Sequence, residues 1–197
     1  MKVEMRKMKI VYMLIAVLSS NWAVAQSFEG IITMNTVNEE IEEKATLSWY
    51  LKGDKSRVDI KSQAGKHATE YAIISDEIGV DMVAEGQVTN IPQSVMKTGA
   101  SAQSLLSEKE GVSMNGYTCT RAIYFNGKNQ TTYWLTNDLN IGFDDIPAIL
   151  RRNMPNIEAS GFPIKMETRG ADGKVVVSQE VVSVKAAKVD DSKFARK

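Results

Sequence analysis

The sequence predicts a mainly β protein, an antiparallel meander of closely linked strands interrupted by one or two short helices. Three observations predict it. Ala45, Leu47, Trp49 and Leu51 alternate with Thr46, Ser48, Tyr50 and Lys52, the period-two pattern of a strand with one buried face. Turn signals recur between alternating stretches, at Gly53-Asp54, Ala64-Gly65, Glu77-Ile78-Gly79, Glu85-Gly86, Asn126-Gly127 and Asp172-Gly173; Asn-Gly and Asp-Gly supply the positive φ of tight hairpins. Connections this short force neighbouring strands to run antiparallel.

From the N-terminus, residues 1–25 read as an address and not as part of the fold. Lys2, Arg6, Lys7 and Lys9 precede an apolar run from residue 10 to residue 18, and Ala23-Val24-Ala25 forms a small-x-small cleavage site before Gln26. That order is the one found in secretory signal peptides. The apolar run is too short for the roughly 20 residues a membrane-spanning helix needs. No cysteine stands at the cleavage point to carry a lipid. The expectation is export and release, to a periplasm or beyond, with cleavage after Ala25.

Strands follow at 28–37 and 45–52. Val58 and Ile60 alternate with Arg57, Asp59 and Lys61, and further candidates lie at 68–75, 80–84, 117–125, 130–136, 162–169 and 174–186. Two stretches break the alternation. Residues 93–110 are rich in Ser, Ala, Leu and Lys and have room for a short helix at 101–108. Residues 144–153 carry the stronger helical signal: Asp144 or Asp145 can cap it, Pro147 suits its first turn, and Ile146, Ile149 and Leu150 share a face. A helix this short needs that face packed on the sheet. The charged tail 189–197 is expected to be loosely held apart from Phe194. Residues 26–197 thus make one domain.

Composition excludes several function classes. The 24 basic and 24 acidic residues cancel, but the leader holds four of the former and only Glu4 of the latter. The exported chain of 172 residues therefore has 20 against 23, a net charge of −3. Nucleic acid, which calls for a basic stripe, is not indicated. One cysteine excludes an internal disulfide, and one histidine excludes a two-imidazole metal site. Cys119, with no basic neighbour in Tyr117-Thr118-Cys119-Thr120, reads as a small buried apolar residue. A metal or other cofactor is not expected.

No motif carries catalysis. Ser94-Val95-Met96-Lys97 and Lys97-Thr98-Gly99 imitate two motifs of penicillin-binding enzymes, but share a lysine that those enzymes duplicate. The acid pairs Glu39-Glu40, Glu42-Glu43, Asp144-Asp145 and Asp190-Asp191 read as solvated, because sequence neighbours in a strand point to opposite faces. His67 reads as a surface residue before a strand. Trp49, Trp134, Tyr71, Tyr133 and Met82 are core or line a cavity; alternation alone does not separate the two.

The C-terminal half adds a resemblance. Asn115-Gly116-Tyr117-Thr118-Cys119, Tyr133-Trp134-Leu135-Thr136-Asn137-Asp138-Leu139, Gly161-Phe162-Pro163-Ile164-Lys165-Met166-Glu167 and Val182-Ser183-Val184-Lys185, followed by Asp190-Asp191-Ser192-Lys193-Phe194, resemble in that order a domain-of-unknown-function family exported by Bacteroidota-type bacteria. The chain is also similar, more distantly, to the family named for a Gly-Leu-Pro-Gly-Leu-Ile motif, which it lacks. The resemblance implies a fold like that of the periplasmic lipoprotein carriers LolA and LolB, an open half-barrel with one or two short helices against its concave face. Those carriers hold acyl chains there, and shape transfers between relatives more readily than function.

Two functions from different classes follow. One is a non-catalytic binding module holding a lipid or a lipoprotein acyl chain, monomeric and without stable membrane insertion. Its expected cavity wall is Leu47, Trp49 and Leu51, then Val58 and Ile60, Tyr71 and Ile73, Met82, Tyr133 and Leu135, and Ile164 and Met166, with Ile146, Ile149 and Leu150 as a lid. The other is an envelope structural or protein-interaction module with a solid interior. A hydrolase would need acids from distant strands to converge in a cleft.

Overall fold

The computed structural model describes residues 28–92, 103–139, 141, 146 and 161–196. They form an eleven-stranded sheet in which all the neighbours are antiparallel. The first six strands are β1 (Gly30–Asn38), β2 (Glu43–Lys52), β3 (Lys55–Ala64), β4 (His67–Asp76), β5 (Gly79–Ala84) and β6 (Gln87–Asn90). The other five are β7 (Ser104–Met114), β8 (Tyr117–Phe125), β9 (Gln130–Thr136), β10 (Phe162–Arg169) and β11 (Val175–Ala186). A 3-10 turn, Asp191–Phe194, follows β11.

The spatial order is β6-β5-β4-β3-β2-β1-β11-β10-β9-β8-β7. Two meanders therefore run outward from the centre, where the first and last strands pair from Gly30 opposite Ala186 to Asn38 opposite Val177. The join is tight at Gly30, where an added Cβ would lie 2.4 Å from the Lys185 carbonyl oxygen and 2.6 Å from the Phe28 ring. Turn chemistry sets the hairpins. Asn115 and Gly116, between β7 and β8, both have positive φ, the geometry whose twist matches paired strands.

The sheet curls without closing. β2 and β10 are three strand spacings apart, about 14 Å if the sheet were flat, yet the rings of Trp49 and Phe162 meet edge to face at 5.9 Å. Among the described residues the edge strands β6 and β7 pair with no further strand. The inner face holds one hydrophobic cluster, with Ile32, Trp49, Val58, Tyr133, Leu135, Phe162 and Ile164 each at most 1% exposed. Ile141 and Ile146, from the connection between β9 and β10, are buried in the same cluster.

The strands differ from expectation in two places. Of the helix expected at 101–108, residues 104–108 are instead the start of β7 while 101 and 102 lie outside the described residues, and β6 follows the anticipated Glu85-Gly86 turn. Both are edge strands with little or no buried side-chain pattern to read. The helix expected at 144–153 lies, apart from Ile146, outside the described residues.

The tail is a second correction. Instead of hanging loosely, residues 187–196 run as a strap past β2 and β3 to β4 and β5. Lys52 Nζ donates to the Val189 carbonyl, Arg57 Nη1 donates to the Lys193 carbonyl, and the Lys193 ammonium stands 4.5 Å from the centre of the Tyr50 ring. Tyr50, Arg57 and the Arg57 partner Ile74 face away from the inner cluster. Ala72, Ile74, Val189 and Phe194 are nevertheless buried, and they stand apart from that cluster. The strap builds a small second core on the outer face.

Candidate functional site

Register determines which side chains share the inner face. One row runs Met82, Ile73, Val58, Trp49, Ile32 and Val184 across β5, β4, β3, β2, β1 and β11. The next runs Ala84, Tyr71, Ile60, Leu47, Met34 and Val181. One step further along the strands, Thr69, Ser62, Ala45 and Thr36 stand directly opposite one another across β4, β3, β2 and β1. Gln179, Met166 and Tyr133 continue this third row across β11, β10 and β9.

Size changes sharply between rows. Met34, Leu47 and Ile60 are bulky and no more than 7% exposed, whereas their neighbours two residues on are Thr36, Ala45 and Ser62. A hollow of about 580 Å³ is lined by this four-residue row and the residues on either side of each member; those flanking residues alternate to the outer face and none of Met34, Leu47 and Ile60 lines it, so this hollow is a groove on the outer side of the row. A second hollow, of about 630 Å³, also touches Ala68, Thr69 and Glu70 and is lined further by Tyr71, Met82, Ala84 and Glu85, with Thr69, Tyr71, Met82 and Ala84 as its inner-face wall.

The twelve residues expected to wall a cavity therefore divide. Leu47, Trp49, Leu51, Val58, Ile60, Ile73, Tyr133, Leu135 and Ile164 are buried in the inner cluster. Met166 packs against it, half-buried, while Tyr71 and Met82 line the second hollow. Of the expected lid, Ile146 is buried in the cluster, and Ile149 and Leu150 lie outside the described residues. Sequence reasoning missed Thr36, Ala45, Ser62, Thr69 and Ala84. Their common signal, small side chains at positions in register, becomes visible only once the pairing is known. Trp134, beside Tyr133 in the strand, takes the other face and carries the Lys165 ammonium 5.3 Å from its ring centre.

Polar groups stand along the small-residue row of the inner face. Ser62 Oγ and Thr69 Oγ1 are hydrogen-bonded to each other at 2.8 Å. Thr36 Oγ1 is shielded from solvent and finds no partner among the described residues. Four charged residues line the two hollows, Lys44, Lys61, Glu70 and Glu85, and Lys61 is paired with Glu70 at 3.1 Å. Lys44, Lys61 and Glu70 alternate to the outer face.

Reactive chemistry is not assembled there. Among the described residues no group of three or more His, Cys, Asp or Glu side chains comes together as metal ligands would. His67 is exposed at the start of β4. Cys119 is buried, and burial raises its thiol pKa above the ordinary value, which disfavours the reactive thiolate. Burial likewise pushes the Tyr133 phenol up. Asp76 and Asp81 do converge, on the outer side of the β4–β5 hairpin, but Arg196 spans both. Its Nη1 and Nη2 each donate to Asp76 at 2.8 Å, and its Nε donates to Asp81, which also accepts from Asn90 Nδ2 at 2.9 Å. The imitation enzyme motif at 94–99 lies outside the described residues.

The family profile described as Domain of unknown function (DUF4412) matches residues 28–196. No curated protein matches the chain. Among solved structures, an uncharacterized conserved protein from Thermus thermophilus is similar with a TM-score of 0.53 at 14% identity, over 86% of this chain and 85% of that one. The Pseudomonas aeruginosa MucA/MucB complex gives a TM-score of 0.46 at 8% identity, over 87% of this chain and 56% of that one. A domain from Vibrio parahaemolyticus assigned to outer membrane lipoprotein sorting gives 0.36 at 11% identity, over 84% and 88%. The likeness to the Thermus thermophilus protein is one of fold alone, and the other two are too distant to add to it.

Proposed function

The chain belongs to the DUF4412 family, and on that premise we propose that it is an exported, non-catalytic binding module whose curled sheet holds the apolar part of a lipid or acyl chain. One observation carries the reading: beside the bulky core the inner face has a hollow of about 630 Å³, walled by Thr69, Tyr71, Met82 and Ala84. Sites for small ligands fall in the same range, roughly 300–1,000 Å³. Each methylene buried there contributes about 0.8 kcal/mol, so burying about eight of them offsets a substantial part of the cost of association. The net charge of −3 after removal of a leader offers no attraction to an anionic membrane. Apolar burial then has to supply the affinity, in a periplasm or outside the cell. No helix among the described residues is long and apolar enough to cross a membrane.

Native mass spectrometry of protein purified from a membrane-containing lysate tests this. Bound lipid, retained or restored on incubation with phospholipid, is the expected result. A clean apo mass after that incubation counts against it.

A second reading, a protein-interaction module, is favoured by β7, an edge strand of 11 residues with Leu105 and Leu106 exposed. An extended peptide can add to such an edge. Two register shifts interrupt β7, and Glu108, Lys109 and Glu110 stand along it; such bulges and charges guard edges against pairing. An apo mass together with strand addition at β7 would move the function there.

A further inference from the structure

The wall of the 630 Å³ hollow ends at a notch in the sheet. β4 extends from His67 to Asp76, but its pairing with β5 stops at Tyr71 opposite Ala84. There the chain turns back through Glu85 and Gly86 into β6. Residues 67–70 keep β3 on one side and, among the described residues, have no strand on the other.

Register determines which backbone groups are left over. Ala64 and His67 face each other across the two-residue β3–β4 turn, where Gly65 has a φ of +57°. The pair that closes such a hairpin exchanges both its hydrogen bonds, and every second residue along the ladder does the same. His67, Thr69 and Tyr71 therefore direct N–H and C=O toward β3, and Ala68 and Glu70 direct theirs to the β5 side. Ala68 lies beyond the last β5 pair, so both its groups open on the notch. Ala68 and Glu70 line the hollow for this reason, although their side chains alternate to the outer face.

The hollow thus joins an apolar wall of Tyr71, Met82 and Ala84 to one backbone donor and one backbone acceptor. A hydrocarbon leaves both unmatched, and an ester supplies acceptors only. An amino-acid unit matches both, as an added antiparallel strand does. Antiparallel pairing also sets direction: what precedes that unit's nitrogen runs from Ala68 toward Tyr71, onto the apolar wall.

We infer that the hollow takes an acyl chain carried on an amino acid through an amide. The amide N–H donates to the Ala68 carbonyl, the amino acid's own carbonyl accepts from the Ala68 N–H, and the chain lies against Tyr71, Met82 and Ala84. This rests on the binding reading above and narrows its ligand class.

Equilibrium dialysis of residues 26–197 against N-octanoylglycine amide, and against the same compound methylated on its acyl nitrogen, tests the inference. Methylation removes the ligand's donor and is expected to weaken binding about fivefold, the yield of one hydrogen bond. Ala68→Pro removes the protein's donor where an edge strand accepts proline; it should weaken the unmethylated compound by a similar factor, with unchanged thermal unfolding. Should that variant not fold, the methylation comparison on the parent decides alone. N-octanoylglycine as the free acid separates two sources of this chemistry: equal or tighter binding assigns the site to a free acylated amino acid, and preference for the amide assigns it to the acylated end of a peptide. If the methylated and unmethylated compounds bind the parent alike, or a folded Ala68→Pro variant binds as the parent does, the inference is overturned and the binding reading survives. If none of the compounds binds the parent, both fall together.

Discussion

Arg196 contacts two carboxylates that would otherwise repel each other. The three side chains are largely withdrawn from water, with Arg196 25% exposed and Asp76 and Asp81 9% and 10%. Removing the cation leaves a charge pair uncompensated, so Arg196→Ala should destabilise the protein by about 2–4 kcal/mol, measured by urea unfolding near neutral pH. The guanidinium holds both aspartate pKa values below their ordinary 3.8. On acidification the unfolded chain therefore takes up protons before the folded one does. The stabilisation is complete well above the unfolded value, from about pH 5 upward, and is lost as the pH falls through the lower, folded values. Arg196→Ala should accordingly lose less stability than the parent between about pH 4 and about pH 2; an identical acid limb would rule the clamp out as its source. Trp49 makes a separate case. It is 1% exposed against Phe162, and Trp49→Ala should cost about 3–5 kcal/mol in the same assay. Its alternating place in β2 made it legible in the sequence as core or lining, and the register decides for core.

At the scale of elements, what was legible depended on burial. β2 and β3 were readable because one face of each is buried and the other wet, which writes period two into the sequence. β7 was not, because eight consecutive residues from Ser104 are exposed and two bulges break its register. A strand without a buried face leaves no alternation. The strap from 187 to 196 escaped for the opposite reason. Its anchors are few and widely spaced: Val189, Phe194 and Arg196 among charged residues. Deleting residues 188–197 should uncover Ala72 and Ile74 on the outer face, lower the urea midpoint and increase binding of a hydrophobic dye, while far-ultraviolet circular dichroism keeps its β signature. An unchanged midpoint would show that the strap adds nothing to stability.

For the whole molecule, local pattern foretold the mainly antiparallel meander but not its centre. β1 and β11 pair across the length of the chain, and no short-range signal encodes that contact. The pairing sets the curl that brings β2 and β10 ring to ring, and the curl gives the face its inside. The row of small residues was illegible for the same reason. Thr36, Ala45, Ser62 and Thr69 are ordinary small residues until register aligns them. The proposed lipid site is the inner-face hollow walled by Tyr71, Met82 and Ala84, and filling it is the most direct test. Ala84 lines the larger hollow opposite Tyr71. Native mass spectrometry should detect a lipid adduct on the parent after incubation with phospholipid, and should lose it in a folded Ala84→Trp variant. An adduct of equal abundance on both would place any lipid elsewhere, and no adduct on either would contradict the account.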